Sequence, residues 1–65
     1  MILRQMREDA GIHQADLARK LGKPQSFVSR YEAGERRLDL IELRQVCQVL
    51  GTSLTACVQR FERDQ

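Results

Sequence analysis

The stretch Gln14-Ala15-Asp16-Leu17-Ala18-Arg19-Lys20-Leu21-Gly22-Lys23-Pro24-Gln25-Ser26-Phe27-Val28-Ser29-Arg30-Tyr31-Glu32-Ala33-Gly34 decides how this chain folds. In its first half Leu17, Ala18 and Leu21 recur at i, i+1, i+4, the spacing of one helical face, so a helix is expected over about 14–21. Gly22 then stands where a helix ends in the left-handed conformation. Pro24 suits the start of the next helix, where its missing N–H costs nothing. At 100° per residue, the helix over about 25–33 carries Phe27, Val28 and Tyr31 on one side. Gln25, Ser26, Ser29, Arg30 and Ala33 lie on the other. That outward face has no acid. A plain solvated face would mix Glu with Lys. This one offers amide, hydroxyl and guanidinium groups, which are those that read base edges and phosphates.

Working outward, four glycines (Gly11, Gly22, Gly34, Gly51) each follow an amphipathic segment. A first helix is expected over about 2–10, with Leu3, Met6 and Ala10 on one stripe. His13 takes the N-cap position of the next helix, where Asp16 can return a hydrogen bond in the manner of a capping box. After the loop Gly34–Leu38, Asp39 caps a helix over about 40–50 whose buried stripe is Leu40, Leu43, Val46, Cys47 and Leu50. Ser53 caps a fifth, with Leu54, Cys57, Val58 and Phe61 forming an apolar face. The tail Glu62-Arg63-Asp64-Gln65 is polar and is expected to fray. No strand alternation, Asn-Gly hairpin signal, linker or repeat interrupts this pattern. The expected fold is all-α, a compact five-helix bundle containing a helix-turn-helix, in a single domain over residues 1–65.

Composition limits what such a bundle does. The chain has 65 residues, 42% of them apolar and 5% aromatic, with no Trp, so the core is built from Leu, Val, Ile and Ala. A charged fraction of 31% with a net charge of +2 is too balanced for a disordered tail. No apolar run nears the roughly 18 residues of a membrane span. The N-terminus enters a helical pattern directly, leaving no room for a signal peptide, so the expected location is cytoplasmic. Cys47, Cys57 and His13 at their spacings make no zinc site, and two cysteines make no disulfide framework. They read as buried thiols and a turn residue. A chain this short has little room for a catalytic cleft. The expectation is no enzyme, no cofactor, no metal and no small-molecule ligand.

Charge is unevenly spread. From Arg19 to Arg37 there are six basic residues and two acids, a local charge of +4, while the remainder carries −2. A bent helix pair with a basic rim matches a phosphate backbone electrostatically.

These residues carry a resemblance. The whole chain resembles the lambda-repressor-like helix-turn-helix domains, the Xre family. The opening pattern stands as Leu3-Arg4-Gln5-Met6-Arg7-Glu8-Asp9-Ala10-Gly11, and the second helix as Gln14 to Gly22. The third stands as Gln25 to Gly34, and the Leu50-Gly51-Thr52-Ser53-Leu54 junction also fits. The resemblance implies double-stranded DNA as partner, with the helix from Gln25 read as the recognition helix in the major groove. It implies base contacts from Gln25, Ser26, Ser29 and Arg30, with the Gln25 amide suited to adenine and Arg30 to guanine or a phosphate. Phosphate contacts are implied for Gln14, at a helix N-terminus that attracts anions, and for Lys23, Arg36 and Arg37. It also implies a structural ion pair between Arg7 and Glu32. The sequence departs from the family at His13 and Pro24, where a capping Ser or Thr is usual, and at Leu38, where Pro is frequent.

A recognition helix spans few base pairs, so a specific operator calls for two half-sites. Ile41 and Val49 fall off the buried stripe of the fourth helix, and Leu54 and Ala56 flank the start of the fifth. A weak homodimer is expected through these four residues, as relatives pair there. The function implied is sequence-specific transcriptional control, as a repressor on a palindromic operator. The alternative is an antitoxin-like or other protein-interaction module on the same fold.

Overall fold

Five helices appear in the computed structural model, which describes residues 2–63: α1 (Ile2–Asp9), α2 (Gln14–Leu21), α3 (Gln25–Glu32), α4 (Leu40–Val49) and α5 (Leu54–Arg63). The chain is all-α, and among the described residues there is no strand. None of its helices is long and apolar enough to cross a membrane. The expected helices are all present, each within one or two residues of its expected ends. Glu62 and Arg63 lie inside α5, and the fraying expected of Asp64 and Gln65 falls outside the described residues.

Helices α1 to α4 stop by one device. The glycine after each has φ between 69° and 77°, a left-handed conformation that Cβ-bearing residues resist. At α2 the Gly22 N–H donates to the Arg19 carbonyl (3.1 Å) and the Lys23 N–H to the Ala18 carbonyl (2.9 Å). These two bonds satisfy carbonyls that the helix itself leaves unpaired. They also turn the chain sharply, so that only three residues separate α2 from α3. The α2–turn–α3 unit is a helix-turn-helix.

Helix starts are less uniform. Asp39 forms a full capping box: its carboxylate accepts from the Glu42 N–H (2.7 Å) and Glu42 accepts from the Asp39 N–H (3.0 Å). Ser53 Oγ accepts from the Ala56 N–H (3.0 Å). His13 occupies the N-cap of α2, but its side chain makes no capping bond. The expected reciprocal bond from Asp16 does not form either, because that carboxylate accepts from Arg19 instead (3.2 Å). An imidazole lacks the short oxygen acceptor that a cap uses.

The core is Leu3, Leu17, Ala18, Val28, Tyr31, Val46, Cys47 and Cys57, with Met6, Phe27, Leu43 and Leu50 packed around it. Both cysteines are buried free thiols, and Cys47 is pushed up to about 12, by burial first and then by the neighbouring Cys57 thiol. Three expectations about the apolar stripes need correction. Ala10 is exposed, since α1 ends before it. Leu40 is 68% exposed, because the first turn of α4 extends past the bundle. On α5 only Cys57 is buried, while Val58 and Phe61 remain exposed. Spacing put those residues on one face, but no helix among the described residues covers that face.

Candidate nucleic-acid interface

α3 places its side chains in two sets. Val28, Tyr31 and Glu32 are buried, with Phe27 half-buried beside them. Gln25, Ser26 and Arg30 are exposed, and Ser29 is half-buried. The helix ends at Glu32, with Ala33 as its exposed C-cap. Ser29 Oγ donates to the Ser26 carbonyl (3.2 Å), which leaves the hydroxyl's acceptor side open. Gln25 and Arg30 make no side-chain hydrogen bond, and no carboxylate pairs with the strip, among the described residues. The strip is therefore available to a partner.

The underside of α3 is held by a buried polar network. Arg7 Nε donates to Glu32 Oε2 (2.7 Å) and its Nη2 to Glu32 Oε1 (3.1 Å), a two-pronged pair. The Arg7 Nη1 donates to the Ile12 carbonyl (2.7 Å), and Gln14 Nε2 donates to Glu32 Oε1 (2.9 Å). The Arg7 and Glu32 side chains are 10% and 3% exposed. One carboxylate thus joins α1, the start of α2 and the end of α3. Burial pushes the Glu32 carboxyl up, but the hydrogen bonds from Arg7 and Gln14 outweigh it and hold its pKa below the ordinary 4.5. A carboxylate so depressed stabilises the fold above its unfolded-state pKa, and that contribution is lost as pH falls through its lower folded value. In an acid titration followed by urea unfolding, stability is expected to fall below about pH 4.5. Glu32→Gln is expected to be less stable at neutral pH and to show a shallower acid dependence. An equally steep dependence in that variant would assign the acid response to other carboxylates.

The basic rim divides into engaged and free cations. Arg36 grips Glu42 with both prongs (3.1 and 2.8 Å) and stacks over the Phe27 ring, its Cζ 4.6 Å from the centroid. Lys23 Nζ lies 5.7 Å from the same centroid, and Phe27 meets Tyr31 edge-on. Lys23, Arg30 and Arg37 are exposed and carry no ion pair among the described residues. Two residues read from the resemblance as phosphate contacts already have partners within the chain: the Gln14 amide donates to the buried Glu32, and the exposed Arg36 guanidinium to Glu42 at the surface. The Arg36–Glu42 clamp ties the loop after α3 to α4. Its sequence signal was the Asp39-x-x-Glu42 capping pattern, which fixes Glu42 beside the loop.

Of the four residues expected to pair two copies, Ile41 and Ala56 are exposed. Leu54 is half-buried, and Val49 packs partly against the core rather than standing off it. No group of His, Cys, Asp and Glu among the described residues is arranged to hold a metal ion.

A helix-turn-helix whose second helix is anchored from below, and which shows an acid-free, unpaired upper face, defines the class of DNA-binding transcriptional regulators. The helix-turn-helix family model matches residues 3–56, and the chain belongs to the Xre-type helix-turn-helix family. An XRE-family-like protein from Pseudomonas syringae pv. tomato is 46% identical, with 97% of this chain and 77% of that one aligned at a TM-score of 0.88. The clp gene regulator ClgR from Corynebacterium glutamicum is 28% identical, covering 88% of this chain and 61% of its own, at a TM-score of 0.82. HppE, solved in its apo form, is 37% identical at a TM-score of 0.77, but this chain spans only 32% of it. A search of curated protein sequences gives no match.

Proposed function

We propose that the chain binds a specific double-stranded DNA sequence as a homodimer and represses transcription in the cytoplasm, without catalysis. The observation that carries this reading is the outward strip of α3, exposed and free of any carboxylate partner among the described residues. Gln25, Ser26, Ser29 and Arg30 read base edges in the major groove, with Gln25 suited to adenine through its paired donor and acceptor. Lys23 and Arg37 hold phosphates on either side. The backbone N–H groups at the start of α2 offer a further anion site. Gln14 and Arg36 act one step back, holding Glu32 and Glu42 so that the helix and the following loop keep their places. Ile41 and Ala56, with the partly exposed Leu54 and Val49, are the proposed contact between copies.

The test is selection of bound sites from random duplexes with wild-type protein and Gln25→Ala. Wild type is expected to recover inverted half-sites about one helical turn, roughly 34 Å, apart. Gln25→Ala is expected to lose preference at one base pair per half-site, by about tenfold. Unchanged preference in Gln25→Ala would remove its readout role, and isolated single half-sites would remove the dimer.

A further inference from the structure

Lys23 and Arg36 sit over the same Phe27 ring, next in α3 to Ser26 of the outward strip, and Arg37 follows Arg36 in the chain. Of these three cations only Arg36 has an anionic partner among the described residues. That partner is held in place by its own helix. Glu42 takes Arg36 through both carboxylate oxygens (3.1 and 2.8 Å), and its Oε1 also accepts from the Asp39 N–H (3.0 Å) in the capping box of α4. Arg36 Nη1 donates as well to the Arg37 carbonyl (2.9 Å). The Glu42 side chain is 17% exposed against 39% for Arg36, so the carboxylate is the better covered of the two. Arg36 first, and then the Asp39 N–H, hold the Glu42 carboxyl below the ordinary carboxylate range, which keeps it charged at neutral pH. Lys23 acts on it too, through its charge alone. The Arg36–Glu42 pair is therefore electrically neutral, in a rim where Lys23 and Arg37 keep their full charge.

We propose that Glu42 is a specificity-determining residue of the DNA interface, acting by withholding Arg36 from the phosphates. This rests on the reading of α3 as the helix that meets the duplex. A phosphate contact strengthens binding to every sequence alike, because the backbone carries no sequence information. Held by Glu42, Arg36 adds little to that general attraction. Its guanidinium lies on Phe27 instead and braces the first turn of α3, where Gln25 and Ser26 stand. Specificity is a difference of affinities. The clamp widens that difference from both sides: it limits attachment to wrong sequences and holds the base-reading residues in place for the right one.

The test is Glu42→Gln. Glutamine keeps an oxygen acceptor for the Asp39 N–H and loses only the charge, so the cap and the fold are expected to survive, with a thermal melt within a few degrees of wild type. Binding is measured against salt on a random duplex and on the selected site. On the random duplex the freed Arg36 is expected to steepen the slope of log affinity against log salt by about 0.9, and to tighten binding about fivefold at low salt. On the selected site the looser brace is expected to offset that gain, so the ratio of the two affinities falls about fivefold. Glu35→Gln is the control. Glu35 lies in the same loop, exposed and with no ion pair among the described residues, so its loss removes an equal charge and frees no cation. That variant is expected to keep the wild-type ratio and to shift the slope only slightly. An unchanged slope in Glu42→Gln overturns the proposal, and so does an unchanged ratio. Equal effects in the two variants overturn it as well, because net charge alone then explains both. Arg30→Glu is run alongside to separate this proposal from the reading beneath it. If Arg30→Glu loses binding while Glu42→Gln behaves as wild type, only the role of Glu42 falls. If Arg30→Glu also binds as wild type, α3 does not face the duplex through its strip and both fall.

Discussion

Arg7→Ala is expected to lower stability by about 3–5 kcal/mol, because it strands the buried Glu32 carboxylate without its cation. A domain of this size has little to spare. At roughly 0.05–0.15 kcal/mol per residue, that loss takes much or all of its stability. A thermal melt at neutral pH should show the midpoint lowered on the order of 20 °C, or no cooperative transition at all. The Ile12 carbonyl loses its donor in the same variant, which adds to the effect. A paired replacement, Arg7→Met with Glu32→Leu, is expected to recover part of the loss, since two matched apolar side chains leave no buried charge. Recovery would stay incomplete because the Ile12 carbonyl and Gln14 amide still want partners. A single-variant melt superimposable on wild type would show that α1 does not brace α3 through this pair.

The bracing pair illustrates what a sequence shows and what it withholds. Helix ends were legible because backbone conformation is a local matter: Gly11, Gly22, Gly34 and Gly51 each follow an apolar period and each adopts positive φ. The α3 strip was legible for the same reason, since 100° per residue assigns its two faces. The Arg7–Glu32 pair spans 25 positions and came only through family resemblance, because no local period links α1 to the end of α3. The Arg36–Glu42 clamp was not legible in the sequence for a related reason. Whether Arg36 meets a phosphate or Glu42 depends on the path of an irregular loop, and the loop brings it back to α4. The α5 face shows a different limit. Periodicity says that Val58 and Phe61 share a side with Cys57, but not whether another helix covers that side. Leu40 fails likewise, one turn beyond the reach of the core.

Arg30→Glu is expected to abolish specific DNA binding while leaving the fold intact. Arg30 is exposed and makes no ion pair among the described residues, so reversing it breaks nothing inside the protein. Its thermal melt should match wild type within a few degrees, in contrast to Arg7→Ala. On DNA the substitution removes the one cation of the reading strip, at its C-terminal end, and puts a carboxylate against the phosphates. Losing one guanidinium contact to a base costs about 1–3 kcal/mol, and like-charge repulsion adds to it, so affinity should fall on the order of 100-fold or more. The salt dependence is the sharper measure. Each neutralised phosphate contributes about −0.9 to the slope of log affinity against log salt, so a reversed charge in the interface should flatten that slope by one or more. Wild-type affinity and slope in Arg30→Glu would mean that α3 does not face the duplex through this strip, and that the unpaired surface of the helix serves another partner.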